Sequence, residues 1–236
     1  MKPVRDVNNR ALYREKWWIY AEPRPALTQA LATIDKFLGL SAVSSFAIPV
    51  TLPTGSVMST AIVVITDTSD ATLAALTSCA HMLWVMRWGS LLGVSIRYST
   101  TDVFDTFPQP EATNRLHSIG QVLGAERHEI MLRRDLGLTK LYNLVNDPEL
   151  PSASDSDAAR MREIQVELDE AVMAAYGWQD VPLNHGFHTY RQMERWTVCP
   201  EARVEILDRL LEENHRRATL QGDTVPAPAD DEEFEE

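Results

Sequence analysis

Between Phe37 and Met86 only two side chains, Asp67 and Asp70, are charged. Charged side chains are the ones a folded chain keeps in water, so a stretch this poor in them has to be largely buried. Turn chemistry nevertheless breaks it. Pro53-Thr54-Gly55 separates two segments rich in Val, Ile, Ser and Thr, Ala42 to Val50 and Ser56 to Ile65, which predicts a hairpin or meander of short strands. A helix starts at Asp67 to Asp70, and Leu73, Leu76, Cys79, Ala80, Leu83 and Met86 recur at helical spacing, so that helix lies on the sheet and supports it. Ser90 to Tyr98 reads as one more strand.

Helices flank this stretch. Ala11 to Tyr20 and Ala26 to Leu38 read as helical, parted by Pro23 and Pro25, with Leu27, Ala30, Leu31, Ile34 and Leu38 on one face of the second. After Pro110 the pattern predicts helices at about Glu111 to Leu136, Leu138 to Asn146, Asp155 to Tyr176 and Glu201 to Arg217. Ser154 or Asp155 can cap the third of these. Pro200 suits the first position of the last, with Cys199 at its cap. The fold class is therefore α+β, a small β-sheet domain with supporting helices followed by a mainly α-helical region. The divisions are residues 1–110, residues 111–220 with a linker at about 147–157, and an acidic tail, 221–236, expected to be disordered.

Composition narrows the function classes. No apolar run approaches the ~20 residues of a membrane span, and the polar N-terminus has no signal-peptide core. Cys79 and Cys199 are too few for a disulfide framework and suit a reducing cytoplasm. The net charge of −12 is unevenly spread. Residues 1–147 hold 14 bases and 13 acids, residues 148–220 hold 8 bases and 14 acids, and the tail holds seven acids and no base. Lys and Arg contacts to phosphate supply most non-specific affinity for DNA. A nearly neutral N-terminal region fits a module that borrows its phosphate grip from a larger partner, and equally one that does not bind DNA.

One run stands apart, RYSTTDVFDTFPQPE from Arg97 to Glu111, with an Arg-Tyr pair, hydroxyls, two Phe and two Pro. It resembles the segment that closes the target-recognition domain in bacterial class I DNA methyltransferases of the type IIG, MmeI-like kind, single-chain restriction-modification enzymes related to the DISARM methylase. LYREKWWIYAEPRPAL (Leu12 to Leu27) is similar to the helix entering that domain. ELDEAVMAAYGWQD and LNHGFH (Glu167 to His188) are similar to the helical region after it. The resemblance covers about residues 1–218 and implies the DNA sequence-specificity portion of such an enzyme, acting on double-stranded DNA. It implies a separate methyltransferase/nuclease catalytic subunit or domain that holds S-adenosylmethionine, adenine as the usual target, and no cofactor or membrane for this chain. The residues agree that chemistry is done elsewhere. There is no Pro-Pro pair for a base-flipping amino-methyltransferase loop, and Gly89, Gly93, Gly120 and Gly124 form no glycine-rich cofactor turn. None of Lys2, Lys16, Lys36 and Lys140 sits in a Glu-x-Lys nuclease pattern.

Arg offers a fork to guanine, and Ser or Thr bonds several base edges. The candidates for base contact are Ser41, Ser44, Ser45, Ser99 and Thr100 with Arg87 and Arg97, and those for phosphate contact are Arg14, Lys16 and Arg24. The related enzymes commonly carry a basic residue after the Val-Ser of the strand at Ala42 to Pro49; here Val43-Ser44 is followed by Ser45 and Phe46. Arg97 is balanced between DNA and an ion pair with Asp102 or Asp105. Trp17 and Trp18 read first as anchors into the core, and Glu126, Glu129 and Arg133 as a helix face making i to i+4 pairs. His185 and His188 fall short of a zinc ligand set and read as structural hydrogen bonding. Two rival functions stand beside the first: a protein-interaction module or truncated relic without DNA binding, and a small enzyme using His185, His188 and Glu194 or Asp180.

Overall fold

The strand that organises the fold is one that helical periodicity conceals. The computed structural model describes residues 2–18, 24–92, 95–190 and 193–222, so the acidic tail beyond Gly222 and the end of the first expected helix lie outside the described residues. After two short helices, α1 (Lys2–Asp6) and α2 (Ala11–Glu15), the helix expected over Ala26 to Leu38 stops early as α3 (Pro25–Leu31). Residues Lys36–Ser41 form β1, the middle strand of an antiparallel sheet with β3 (Val50–Pro53) on one side and β4 (Ile62–Ile65) on the other. Phe37, Leu38, Gly39 and Leu40 are all buried. A strand covered on both faces lacks the period of two, so a short apolar run of this kind reads as readily as helix. The expected hairpin is corrected accordingly: β3 and β4 both pair with β1 and not with each other.

Just past β1, the chain changes sheets. Residues Val43–Ser44, as β2, pair with β6 (Ser95–Arg97), which also pairs with β5 (Ser90–Leu92). Ala42 is the switch point, its N–H donating to Ala61 O at 2.8 Å while its own carbonyl accepts from Tyr98 N at 2.9 Å. In an unbroken antiparallel ladder both bonds would go to one opposing residue. Here β4 and β6 part company at Ala42, and a groove opens between them.

The single helix expected after Asp67 is two, α4 (Asp70–Thr77) and α5 (Cys79–Trp88), broken at Ser78. Ser78 is extended and its hydroxyl oxygen accepts from His81 N. The first N–H of α5, from Cys79, donates to the fully buried carboxylate of Asp169 at 2.7 Å. An anion at a helix N-terminus satisfies donors that the helix cannot, and Asp169 is held there by Gln165 Nε2 (3.1 Å) and His185 Nε2 (2.9 Å). The hydrogen bonding expected of His185 is therefore present; His188 Nε2 meets the carbonyl of Asn184 at 3.2 Å.

Downstream come α6 (Asn114–Arg134), α7 (Leu138–Val145), α8 (Ser156–Tyr176) and α9 (Pro200–Gln221). Asp155, not Ser154, caps α8, its side chain accepting from Asp157 N and Ala158 N. Cys199 precedes α9 without capping it and donates its thiol to Pro182 O instead. The helical half also contains an unexpected hairpin, β7 (Gly186–Tyr190) with β8 (Met193–Thr197). The charged face expected on α6 points across to its neighbour: Glu126 pairs with Arg160 of α8, and Arg133 with Asp157. At the linker, buried Arg162 from α8 donates to the carbonyls of Leu144, Val145, Asp147 and Leu150, closing the C-terminal end of α7 against the loop. One hydrophobic core runs from Leu38 to Leu210 across the division at residue 110, which marks a change of sequence character and not a gap in packing. Among the described residues no helix is long and apolar enough to cross a membrane.

Candidate nucleic-acid interface

The groove opened at Ala42 has a volume of about 650 Å³. One wall is β4 with Thr60; the other is Ser90 of β5, Arg97 of β6 and the residues after it; Arg24 and Leu27 of the α3 segment close one side. Four of the predicted site residues, Arg24, Arg97, Ser99 and Thr100, are thereby brought together, although Arg24 and Arg97 lie far apart in sequence. Arg24 and Arg97 are exposed, and neither guanidinium has a side-chain hydrogen bond or ion pair among the described residues. The ion pair weighed for Arg97 with Asp102 or Asp105 is not formed, although Asp102 lines the same groove. Thr60, Ser90 and Asp102 complete the polar lining and were not foreseen. Ser90 was missed because the single strand expected over Ser90 to Tyr98 is two paired strands, β5 and β6, which set it directly opposite Arg97.

Arg97 sits at the edge of a firmly held segment. Next to it, Tyr98 is buried and its hydroxyl meets Nε2 of His81 at 3.0 Å. His81 is fully buried with Nδ1 at 2.7 Å from the carbonyl of Leu76. A carbonyl can only accept, so Nδ1 carries the proton, Nε2 accepts, and the Tyr98 hydroxyl donates. Burial lowers the His81 pKa to about 4, against a smaller upward effect of the Leu76 bond, and raises that of the Tyr98 phenol, so both groups keep these roles at neutral pH. Ser99 then caps a single turn of π-helix, Thr100–Phe104, its oxygen accepting from Asp102 N. Such turns are rare and occur often at functional sites.

The rest of the run is clamped from behind. Trp84 Nε1 donates to Thr106 Oγ1 at 3.1 Å, and the Phe107 ring lies edge-on to His81. Tyr176 of α8 donates to Pro108 O at 2.8 Å, while Asn214 and Arg217 of α9 donate to the carbonyls of Thr106 and Gln109. Arg217 is oriented by Glu213, whose carboxyl is lowered to about 2 by the Arg216 and Arg217 guanidiniums. The helical half is thus the brace of the loop that carries Arg97, Ser99 and Thr100.

The other predicted residues stand elsewhere. Ser44 spends its hydroxyl on Phe46, donating to its carbonyl and accepting from its N–H; Ser41 donates to Val43 O. Ser45 is half-buried, and its carbonyl accepts from Arg195 of β8, whose guanidinium lies 4.7 Å from the Phe46 ring. A basic group thus reaches the Ser45 backbone, from a segment 150 residues away. Arg87 is exposed over the Trp88 ring, Arg14 is turned onto Asn8 O, and Lys16 is exposed outside the groove. Trp17 and Trp18 are not core anchors: they meet edge to face, and Trp18 is 65% exposed.

Residues 40–111, which hold the second sheet, β3 and β4 of the first, and the whole Arg97 run, match the family model described as MmeI, target recognition domain. This segment is an MmeI-like target recognition domain. Among solved structures, the chain resembles the Type IIL restriction-modification enzyme MmeI in complex with DNA, with a TM-score of 0.57 and 16% identity. The similarity covers 92% of this chain and 25% of that one, so the chain spans about a quarter of the length of the enzyme it resembles. At that identity the likeness is one of fold, and it extends beyond the recognition domain into the helical brace. No curated protein matches the chain.

Proposed function

We propose that this chain is the DNA sequence-specificity portion of a restriction-modification enzyme of the MmeI-like, type IIG kind used in phage defence, and that chemistry is carried out by a methyltransferase/nuclease part holding S-adenosylmethionine. The observation that carries this reading is the groove at the parting of two sheets, where the exposed Arg97 guanidinium and Thr100 hydroxyl of the matched segment 40–111 are joined by the exposed Arg24 from just before it. In this reading Arg97 and Thr100 meet base edges and Arg24 holds phosphate. Exposed Trp18 belongs to the surface that meets the catalytic part. The near-neutral charge of residues 1–147 agrees with a reader whose phosphate grip is shared.

The test is methylation mapping in cells carrying the catalytic part with this chain or its variants. The motif methylated depends on the chain and disappears without it. Arg97→Ala relaxes the motif at one position, a discrimination loss of about 1–3 kcal/mol, whereas Arg24→Ala weakens methylation at all sites alike and lowers the salt dependence of DNA binding by about one unit of slope. A methylated motif indifferent to the chain and to both variants refutes the assignment.

A further inference from the structure

The groove between β4 and β6 holds an acid as well as two bases. Asp102 lines it beside Arg24 and Arg97, and all three residues are exposed. The carboxylate forms no ion pair with either guanidinium; its side-chain bond is a long one, accepted from Thr101 Oγ1 at 3.4 Å. A groove that met phosphate alone would be weakened by such a group, because like charges repel. A carboxylate on a surface that faces DNA calls for a hydrogen-bond donor on the DNA, and the phosphate backbone has none.

The turn that carries the carboxylate is fixed. Asp102 N donates to Ser99 Oγ at 3.3 Å, Asp105 N donates to Thr100 O at 2.8 Å, and the adjoining Val103 is fully buried. Chemistry then selects what can meet it. A carboxylate accepts and does not donate, the reverse of a guanidinium. On the major-groove edges of the bases the donors are the amino groups of cytosine and adenine. Adenine sets its amino group beside the N7 lone pair, a pattern that suits the paired donor and acceptor of Asn or Gln and would confront a carboxylate with a second acceptor. Cytosine offers its N4 amino group without that neighbour, whereas guanine and thymine present acceptors there.

We propose that Asp102 is a specificity-determining residue of this recognition domain, accepting a hydrogen bond from the N4 amino group of a cytosine in the recognised sequence. The inference rests on the DNA-reading function proposed above and deepens it by naming the base and the atom read. Asp102 also selects by exclusion, since the same carboxylate disfavours any sequence that places an acceptor opposite it.

The test is binding of the assembled enzyme to duplexes carrying its mapped motif, each cytosine replaced in turn by 2-pyrimidinone, which lacks the 4-amino group. With the unaltered chain, one replacement weakens binding by about 10-fold beyond the same replacement outside the motif. With Asp102→Ala that excess disappears, and the other positions keep theirs. Asp102→Asn, of nearly the same size, admits adenine at that position of the methylated motif, and it carries the comparison if Asp102→Ala does not fold. A motif without cytosine, an excess that survives in Asp102→Ala, or a loss spread alike over all positions, as a merely structural role would give, each overturns the proposal. If the motif follows the chain and relaxes in Arg97→Ala while the Asp102 variants leave it intact, this inference alone fails. A motif indifferent to the chain overturns the recognition reading as well.

Discussion

Gly120→Ala lowers the stability of the chain by about 3 kcal/mol or more, whereas Gly124→Ala, one helical turn further along α6, leaves it unchanged or raises it by up to about 1 kcal/mol. A Cβ on Gly120 would lie 1.9 Å from the carbonyl oxygen of Asp70 and 2.6 Å from its carbon, so the backbone of α4 would have to move. A Cβ on Gly124 meets only Leu73 Cδ2, at an ordinary 3.7 Å. Overpacking a well-fitted core usually costs about 1–3 kcal/mol, and backbone contact puts Gly120 at or beyond the upper end. The opposite sign at Gly124 follows from helix propensity, which favours Ala wherever space allows. Urea denaturation of the two variants, with slopes compared so that stability is separated from compactness, checks the pair. Equal midpoints would mean that α6 does not approach α4 as closely as described.

Acidification from pH 7 to pH 4 produces the second large loss, and His81 is its main single source. The ring is neutral in the folded chain with its pKa lowered to about 4, and its ordinary value is 6.5. Between those values the unfolded chain binds a proton that the folded chain does not, so stability is fully present above pH 6.5 and is lost as pH falls toward 4. The shift corresponds to roughly 3 kcal/mol for this one residue. Because His81 accepts from Tyr98 and packs against Phe107, the part that loosens first is the loop bearing Arg97, Ser99 and Thr100. His81→Gln flattens the dependence of unfolding free energy on pH between 6.5 and 4, whatever its own cost at pH 7. A variant with an undiminished slope would place the titration elsewhere.

How much of this was legible in the sequence depended on whether burial left a period. The helices after residue 111 bury one face each and carry caps or starting residues, Asp155 and Pro200, so their positions were readable to within a few residues. β1 was not, because Phe37 to Leu40 are covered on both sides. The β7–β8 hairpin was hidden for the reverse reason: mostly half-buried residues such as Phe187, His188 and Trp196 leave neither alternation nor a helical stripe. The break at Ser78 carries a local serine cap, but the carboxylate that meets the first N–H of α5, Asp169, is ninety residues from Cys79 and has no local signal.

At the candidate interface the same logic separates the predicted residues. The Arg97 run is unusual enough in composition to be seen, and Arg97, Ser99 and Thr100 do line one groove. That Arg24 joins them is a matter of tertiary placement, since it precedes Arg97 by more than seventy residues. Ser44 looked identical to Ser99 in sequence, yet its hydroxyl is spent on Phe46. Hydroxyl-rich segments announce a loop, and local hydrogen bonding then decides which hydroxyls are free to meet a ligand.

The most direct test of the groove as a DNA reader is photo-crosslinking in the assembled enzyme on a duplex carrying its mapped motif. A photoreactive side chain at Thr100 joins the DNA at a base within that motif, while the same group at Leu132, 69% exposed on α6 and outside the groove lining, does not. Crosslinking at Thr100 no greater than at Leu132, in a complex that still methylates its site, would contradict the account.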